Sequence, residues 1–264
     1  MTSIQKGYVD LDTGQIHWRA GGSGDCLLFI HQAASDSSAF EPVMEQLASQ
    51  FRVLALDLPG FGMSDFPPKP YSVPEYANVV RNALAALSVT KTSIFGQHGG
   101  GAVAAYLAAS HPALVEKLVL SGAPLYRLDQ AKELLAAFPR IVIKEDGSHL
   151  VGFWRYMATW TPPTDEREAE ALTYELVGRL RPGPRNIEAY AAVFSFDLAA
   201  CLKRIRAPAL VMAGELAPVR KDVTALCALL QKSCPVIVPN GTNWLEAQPE
   251  LLASILHDFL TSHT

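Results

Sequence analysis

Phe95-Gly96-Gln97-His98-Gly99-Gly100-Gly101 is the stretch on which the reading of the fold turns. It follows the β-rich run KTSIF and precedes the helix-like run AVAAYLAASHP. Glycines two before and two after a central residue, set between a strand and a helix, mark a sharp turn that presents a nucleophile. The residue expected at its apex is serine. Here the apex is His98, so the turn is kept and the group it presents is changed.

Outward from this turn, strand and helix patterns alternate. GYVDLDTGQIHWRAGG reads as a hairpin around Asp12-Thr13-Gly14. CLLFIH and RVLALDLPG are short apolar runs of the kind that form buried strands. SSAFEPVMEQLASQ carries a helix pattern. VPEYANVVRNALAALSV is an amphipathic helix with Val80, Leu84 and Leu87 on one face. After the turn and its helix, EKLVLSG, APALVMAG and CPVIVPNG supply three more strands, and helices are expected over VRKDVTALCALLQ and PELLASILHDFL. This rhythm predicts an α/β protein with a mostly parallel, eight-stranded sheet flanked by helices.

The stretch 125–206 breaks the rhythm. It holds four helical, aromatic-rich segments, and it predicts a helical lid over the C-terminal ends of the strands, where ligands bind in open α/β sheets. Residues 1–124 and 207–264 then form the core. Phe153, Trp154, Tyr156, Met157 and Trp160 are candidates to line an apolar pocket under the lid, with packing of lid onto body as the alternative.

Composition narrows the function classes. A net charge of −4 with no Lys/Arg cluster argues against a nucleic-acid surface. No apolar run approaches a membrane span, and the first residues lack the apolar segment of a signal peptide, so a cytoplasmic protein is expected. Cys26, Cys201, Cys227 and Cys234 lack metal-ligand spacing and are expected as reduced thiols. The sequence does not fix the oligomeric state; a homodimer is compatible with it.

Four stretches together resemble the α/β-hydrolase fold over nearly the whole chain. IHQAASDSSAFEPVMEQLASQFRVLALDLPGFGMSDFP is similar to the family's segment from the oxyanion strand to its D-x-P-G-x-G-x-S loop. FGQHGGG sits at the nucleophile elbow, PALVMAGELAPV at the strand that ends in the catalytic acid, and VPNGTNWLEAQPELLASILHDFL at the segment that carries the catalytic histidine. The resemblance implies the fold and leaves the substrate open. It also implies a Ser, Asp or Glu, His triad, which this chain lacks. His98 replaces the serine, Ala217 stands at the acid position and Asn243 at the histidine position. Shifting the alignment by two residues would put Glu215 at the acid position.

What the resemblance leaves is an oxyanion hole, built from the Gly99 and Gln32 amides, at a helix N-terminus that favours negative charge on a ligand and a neutral imidazole at His98. His31 matches the first residue of the family's His-Gly pair, a structural hydrogen-bonding group there, with a place facing the pocket near His98 as the alternative; with His98 and His149 of the lid it completes the candidate catalytic set. Trp154, Tyr156, Trp160, Asn243 and Trp244 make up the candidate substrate-binding set. No metal or cofactor is expected: a set of His31, His98 and Glu215 has no family spacing, and GQHGGG is neither a dinucleotide fingerprint nor a phosphate loop. Asp57 is expected to stabilise its loop.

Three functions fit. The first is a cofactor-independent enzyme on a small apolar substrate, aromatic ones included, with acid/base chemistry at His98 instead of acyl-serine chemistry. The second is an ester or C–C bond hydrolase using His98 with a partner such as His149 or Glu215. The third is a non-catalytic member that binds a small ligand. An imidazole at the apex favours the first over the third, because a drifting binder has no need of one there.

Overall fold

The computed structural model describes residues 3–33, 35–160, 162–239 and 248–262. Its eight strands are β1 (Gln5–Leu11), β2 (Gly14–Gly21), β3 (Cys26–Ile30), β4 (Arg52–Leu56), β5 (Thr92–Gln97), β6 (Val115–Ser121), β7 (Ala209–Gly214) and β8 (Ser233–Val238). They form one sheet in the order β1-β2-β4-β3-β5-β6-β7-β8. The β1–β2 and β2–β4 pairs are antiparallel, and the remaining pairs are parallel.

Period-two alternation sends successive side chains of the central strands to opposite faces. Leu28, Ile30, Leu54, Ile94, Leu120 and Val211 lie on one face, under α2 (Val73–Ala86) and α3 (Gly99–Ser110). Leu27, Phe29, Val53, Phe95, Val119 and Met212 lie on the other, under α1 (Glu41–Leu47) and α10 (Pro249–Thr261). Both faces are covered, which is why CLLFI is buried throughout instead of alternating with polar residues. Helix α2 begins with a reciprocal cap: the Ser72 hydroxyl accepts from the Glu75 amide while the Glu75 carboxylate accepts from the Ser72 amide.

Between β6 and β7 the chain is helical: α4 (Ala131–Ala137), α5 (Ser148–Trp160), α6 (Glu166–Leu180), α7 (Ile187–Phe194) and α8 (Leu198–Leu202). Helices α5 and α6 have a small core of their own in Met157 and Leu172. Helix α8 does not share it. Leu198, Cys201, Leu202 and Ile205 join the main core beside α3, so the end of the 125–206 stretch packs with the body. The run RNIEAYAAVFSFDLAACL is broken before α8, where the Asp197 carboxylate accepts from the Ala200 amide and starts a new helix. Helix α9 (Val223–Leu229) then precedes β8. All four cysteines are free thiols. No helix among the described residues is long and apolar enough to cross a membrane.

Candidate active site

The turn from β5 into α3 is held by contacts that admit only glycine. A Cβ on Gly96 would stand 2.7 Å from the Gly101 Cα and 2.8 Å from the Ala104 Cβ. A Cβ on Gly100 would collide with the Ile30 and His31 carbonyls. The glycines therefore let the head of α3 close onto β3 and β5, and this lifts residue 98 out of the sheet.

His98 pays for the position in backbone strain, at φ 44° and ψ −115°. A non-glycine residue in that region costs about 1–3 kcal/mol. Its N–H donates to the Ser121 carbonyl at 2.8 Å, and its own carbonyl accepts from the Gly101 amide at 3.0 Å. The half-buried imidazole lies against Gly122, just past the end of β6. A Cβ on Gly122 would stand 2.8 Å from Cε1, 3.1 Å from Nδ1 and 3.2 Å from Nε2. The ring is therefore presented over the bare Cα of Gly122, and any side chain there would evict it.

Two amides approach the apex. Gly99 opens α3, where the first N–H groups have no intrahelical acceptor. The backbone nitrogen of Ala33 lies 3.8 Å from the point a Cβ on Gly99 would occupy. Gln32, the expected second donor, is the residue before Ala33 in the same loop. The Gln32 carbonyl accepts from the Ser35 amide and from His31.

His31 is fully buried and both its ring nitrogens are engaged. Nδ1–H donates to the Gln32 carbonyl at 2.7 Å, and Nε2 accepts from the Leu58 amide at 2.9 Å. A carbonyl only accepts and an amide N–H only donates, so these bonds define a neutral tautomer with the proton on Nδ1. The ring ties the oxyanion loop to the loop after β4 and has no nitrogen left for proton transfer. His149 lies at the start of α5, where its Nδ1 accepts from the Lys144 amide at 3.2 Å and closes the preceding turn. The candidate catalytic trio is thus not gathered by these contacts; only His98 stands at the apex. Ala217 is buried after β7 and offers no charge at the acid position, while Glu215 is exposed and its amide donates to the Val238 carbonyl. Asn243 and Trp244 lie outside the described residues, as does the side chain of Trp160.

Trp154 and Tyr156 pack around Met157 and Leu172, and Tyr156 also meets the rings of Phe138 and Phe153 at 6.3 and 6.4 Å. The residues that touch the apex come from α7, which sequence reasoning missed. Val193 Cγ2 lies 3.2 Å from the point a Cβ on Gly99 would take. The Tyr190 hydroxyl donates to the Ala33 carbonyl at 3.1 Å. Phe138 stacks on Tyr190 with ring centroids 4.0 Å apart, and Phe194 packs on Tyr126 at 4.9 Å. Burial holds the Tyr190 phenol far above its ordinary value and pushes Tyr126 up to about 12, so both are donors at neutral pH. The Arg179 guanidinium lies 5.3 Å from the Tyr190 ring centroid and 5.6 Å from that of Phe138. Burial works against its charge, but the Glu175 carboxylate beside it keeps it protonated.

Asp57 stands below the site as the anchor of the loop after β4. Its Oδ1 accepts from the Ser37 amide, and its Oδ2 accepts from the Met63 amide and from His17 Nδ1. Burial alone would raise its pKa; the bond from His17 and those from the Met63 and Ser37 amides outweigh it and hold the carboxyl well below the usual range. Among the described residues no three His, Cys, Asp or Glu side chains are grouped to hold a metal ion.

A model of the α/β-hydrolase fold matches residues 25–216, which include β3, the loop after β4, the elbow and β7. The chain belongs to the α/β-hydrolase fold family. It is 28% identical to a 2-(acetamidomethylene)succinate hydrolase of Mesorhizobium japonicum over 265 aligned positions, covering 96% of this chain and 94% of that one. It is also 41% identical over 106 residues to a protein of Mycobacterium tuberculosis that has no assigned function; the match spans 40% of this chain and only 31% of that protein's length. Among solved structures, the enol-lactonase of Burkholderia xenovorans superimposes with a TM-score of 0.81 at 20% identity, covering 97% of this chain and all of that one. The relatives of named activity are hydrolases, and the enol-lactonase shares the fold.

Proposed function

We propose that this α/β-hydrolase family member is a cofactor-independent enzyme that hydrolyses a small carbonyl compound by acid/base chemistry at His98. The observation that carries the reading is the strained apex: a non-glycine residue at φ 44° at the head of α3 holds its imidazole over the bare Cα of Gly122. Strain of about 1–3 kcal/mol at one residue persists where the surrounding structure fixes it, and such residues cluster at functional sites.

A serine hydroxyl at this apex is a weak nucleophile without a base. A neutral imidazole is itself a base. In the proposed reaction it takes a proton from water as the water oxygen bonds to the substrate carbonyl carbon. The carbonyl oxygen becomes an oxyanion received by the two amides. The imidazolium then returns the proton to the leaving group as its bond to carbon breaks, and acid and alcohol leave. With Ala217 where an acid would steady the imidazolium, His98 supplies only the roughly 10²–10⁴-fold that a positioned base contributes. An activated ester, lactone or enol ester therefore suits the site better than an unactivated amide bond. The named hydrolases among its relatives support hydrolysis over lyase chemistry.

The test is phenol release from phenyl acetate by the wild-type protein and by a His98→Ser variant. Serine restores the family's hydroxyl but brings no base, so the proposal expects the variant to lose at least about 100-fold in kcat/KM. A variant that matches or exceeds the wild type would overturn it.

A further inference from the structure

Helix α7 presents one stripe to the elbow. Tyr190 reaches the Ala33 carbonyl and Val193 touches the space over Gly99. Asn186, at the head of α7 with helical backbone angles, lies one turn before Tyr190 on the same face. It is fully buried, and among the described residues neither its Nδ2 nor its Oδ1 has a hydrogen-bond partner. Arg179, stacked over the Tyr190 ring, spends Nε and Nη2 on one Glu175 oxygen at 3.1 and 2.6 Å, and its buried Nη1 also has no partner among the described residues. Buried polar atoms in folded proteins are nearly always paired. One of these side chains lies over the Tyr190 ring and the other stands one turn before Tyr190, on the helix face whose Tyr190 and Val193 reach the elbow.

We infer that Asn186 and Arg179 form a polar subsite that reads a secondary amide on the substrate, while the carbonyl to be cleaved sits at His98. The assignment to an amide follows from the donors and acceptors on offer. Asn186 needs both an acceptor for its N–H groups and a donor for its carbonyl, and Arg179 Nη1 needs an acceptor. An amide supplies an oxygen and an N–H together. A carboxylate supplies acceptors only and leaves Asn186 Oδ1 unmet. It would also bury a second negative charge beside Glu175, which already neutralises Arg179. A hydrocarbon chain meets none of the three atoms. The inference rests on the proposed function for the placement of the reacting end. It refines the expectation of an apolar substrate: aromatic walls remain, with a neutral hydrogen-bonding group at one end.

Three methyl esters of equal chain length separate the cases: N-acetylglycine methyl ester, methyl pentanoate and monomethyl glutarate. Binding is read as the concentration-dependent rise in melting temperature of the wild-type protein, which needs no turnover. The amide is expected to bind at least tenfold more tightly than either other ester. That preference should vanish in Asn186→Leu and fall in Arg179→Met, each checked for a cooperative unfolding transition. Asn186→Ser serves as the smaller change if the leucine variant does not fold. Equal binding of methyl pentanoate, tighter binding of the glutarate, no shift with any ester, or an unchanged preference in the Asn186 variants would overturn the inference, the last by leaving a buried water as what satisfies Asn186. Binding of the amide by a protein that releases no phenol from phenyl acetate would sink the proposed hydrolysis and leave the subsite standing.

Discussion

At the residue scale the site is an exchange between two positions. His98 is larger than the serine its turn is shaped to present, and Gly122 provides the missing space. Gly122 sits at φ +60°, so Gly122→Ala carries a backbone cost of about 1–2 kcal/mol in addition to the clash. The two effects separate in measurement. Chemical denaturation of Gly122→Ala should show only that modest loss, while kcat for an aryl ester falls by more than tenfold, because the evicted imidazole leaves the amides behind. An equal fractional loss in stability and rate would mean that Gly122 serves the fold alone. The apex was legible in the sequence because glycine spacing is a steric signature: Gly96, Gly100 and Gly101 each face a contact that a Cβ would break. Gly122 was not legible, since a glycine after a strand has many uses and only the fold brings it under residue 98. Asn186 and Arg179 were hidden for a related reason. Arg179 and Asn186 stand in two segments whose pattern reads only as helical, and nothing in that pattern shows that their polar atoms are buried.

At the element scale, the loop after β4 is organised by one carboxylate. Asp57 collects three N–H groups from β2, the Ser37 turn and its own loop, and His31 ties the same loop to the oxyanion strand through Leu58. Asp57→Ala strands those donors and is expected to cost about 2–4 kcal/mol in urea unfolding. The acid response has a defined sign. The folded carboxyl titrates below its unfolded value of about 3.9, so its contribution is complete above that value and is lost as pH falls toward the folded pKa. Unfolding free energy should therefore drop between about pH 4 and pH 2 in the wild type, and less steeply in Asp57→Asn, which has no carboxyl to protonate. Parallel slopes would show that other groups carry the acid sensitivity. The loop's motif was readable from the sequence; its partners were not, because His17 and Ser37 come from elements far apart in the chain. The strands read well for a simple reason: both faces of the sheet are covered, so β3 to β7 appear as short apolar runs. The helical stretch read less well at its end, where α7 and α8 are separate helices that both reach the main core, α7 through Ala189 and α8 through Leu198, Cys201 and Leu202.

At the scale of the whole molecule, the helices between β6 and β7 are fastened to the body at more than the elbow. Arg185, ahead of α7, donates from Nη2 to the Pro67 carbonyl at 2.9 Å, and its guanidinium lies 5.1 Å from the Phe66 ring centroid. Arg185→Ala removes this clasp at a half-exposed position. Amide hydrogen exchange should quicken in α6 and α7, with a change in global stability of less than about 1 kcal/mol. Unaltered exchange there would mean that the aromatic stack of Phe138, Tyr190 and Phe194 holds the insertion by itself. The fold, its mostly parallel eight-stranded sheet and its family were within reach of the sequence. The chemistry was less legible, because a triad is recognised by its members and the elbow here presents His98 in place of serine.

The central claim is that His98 performs the reaction. It is tested most directly by kcat/KM for phenyl acetate in the wild-type protein and in His98→Ala, both verified as folded. The account predicts a clear wild-type rate and a loss of about 10²–10⁴-fold in the variant. A wild-type rate that survives in His98→Ala, or a wild-type protein with no turnover of activated esters, would contradict it.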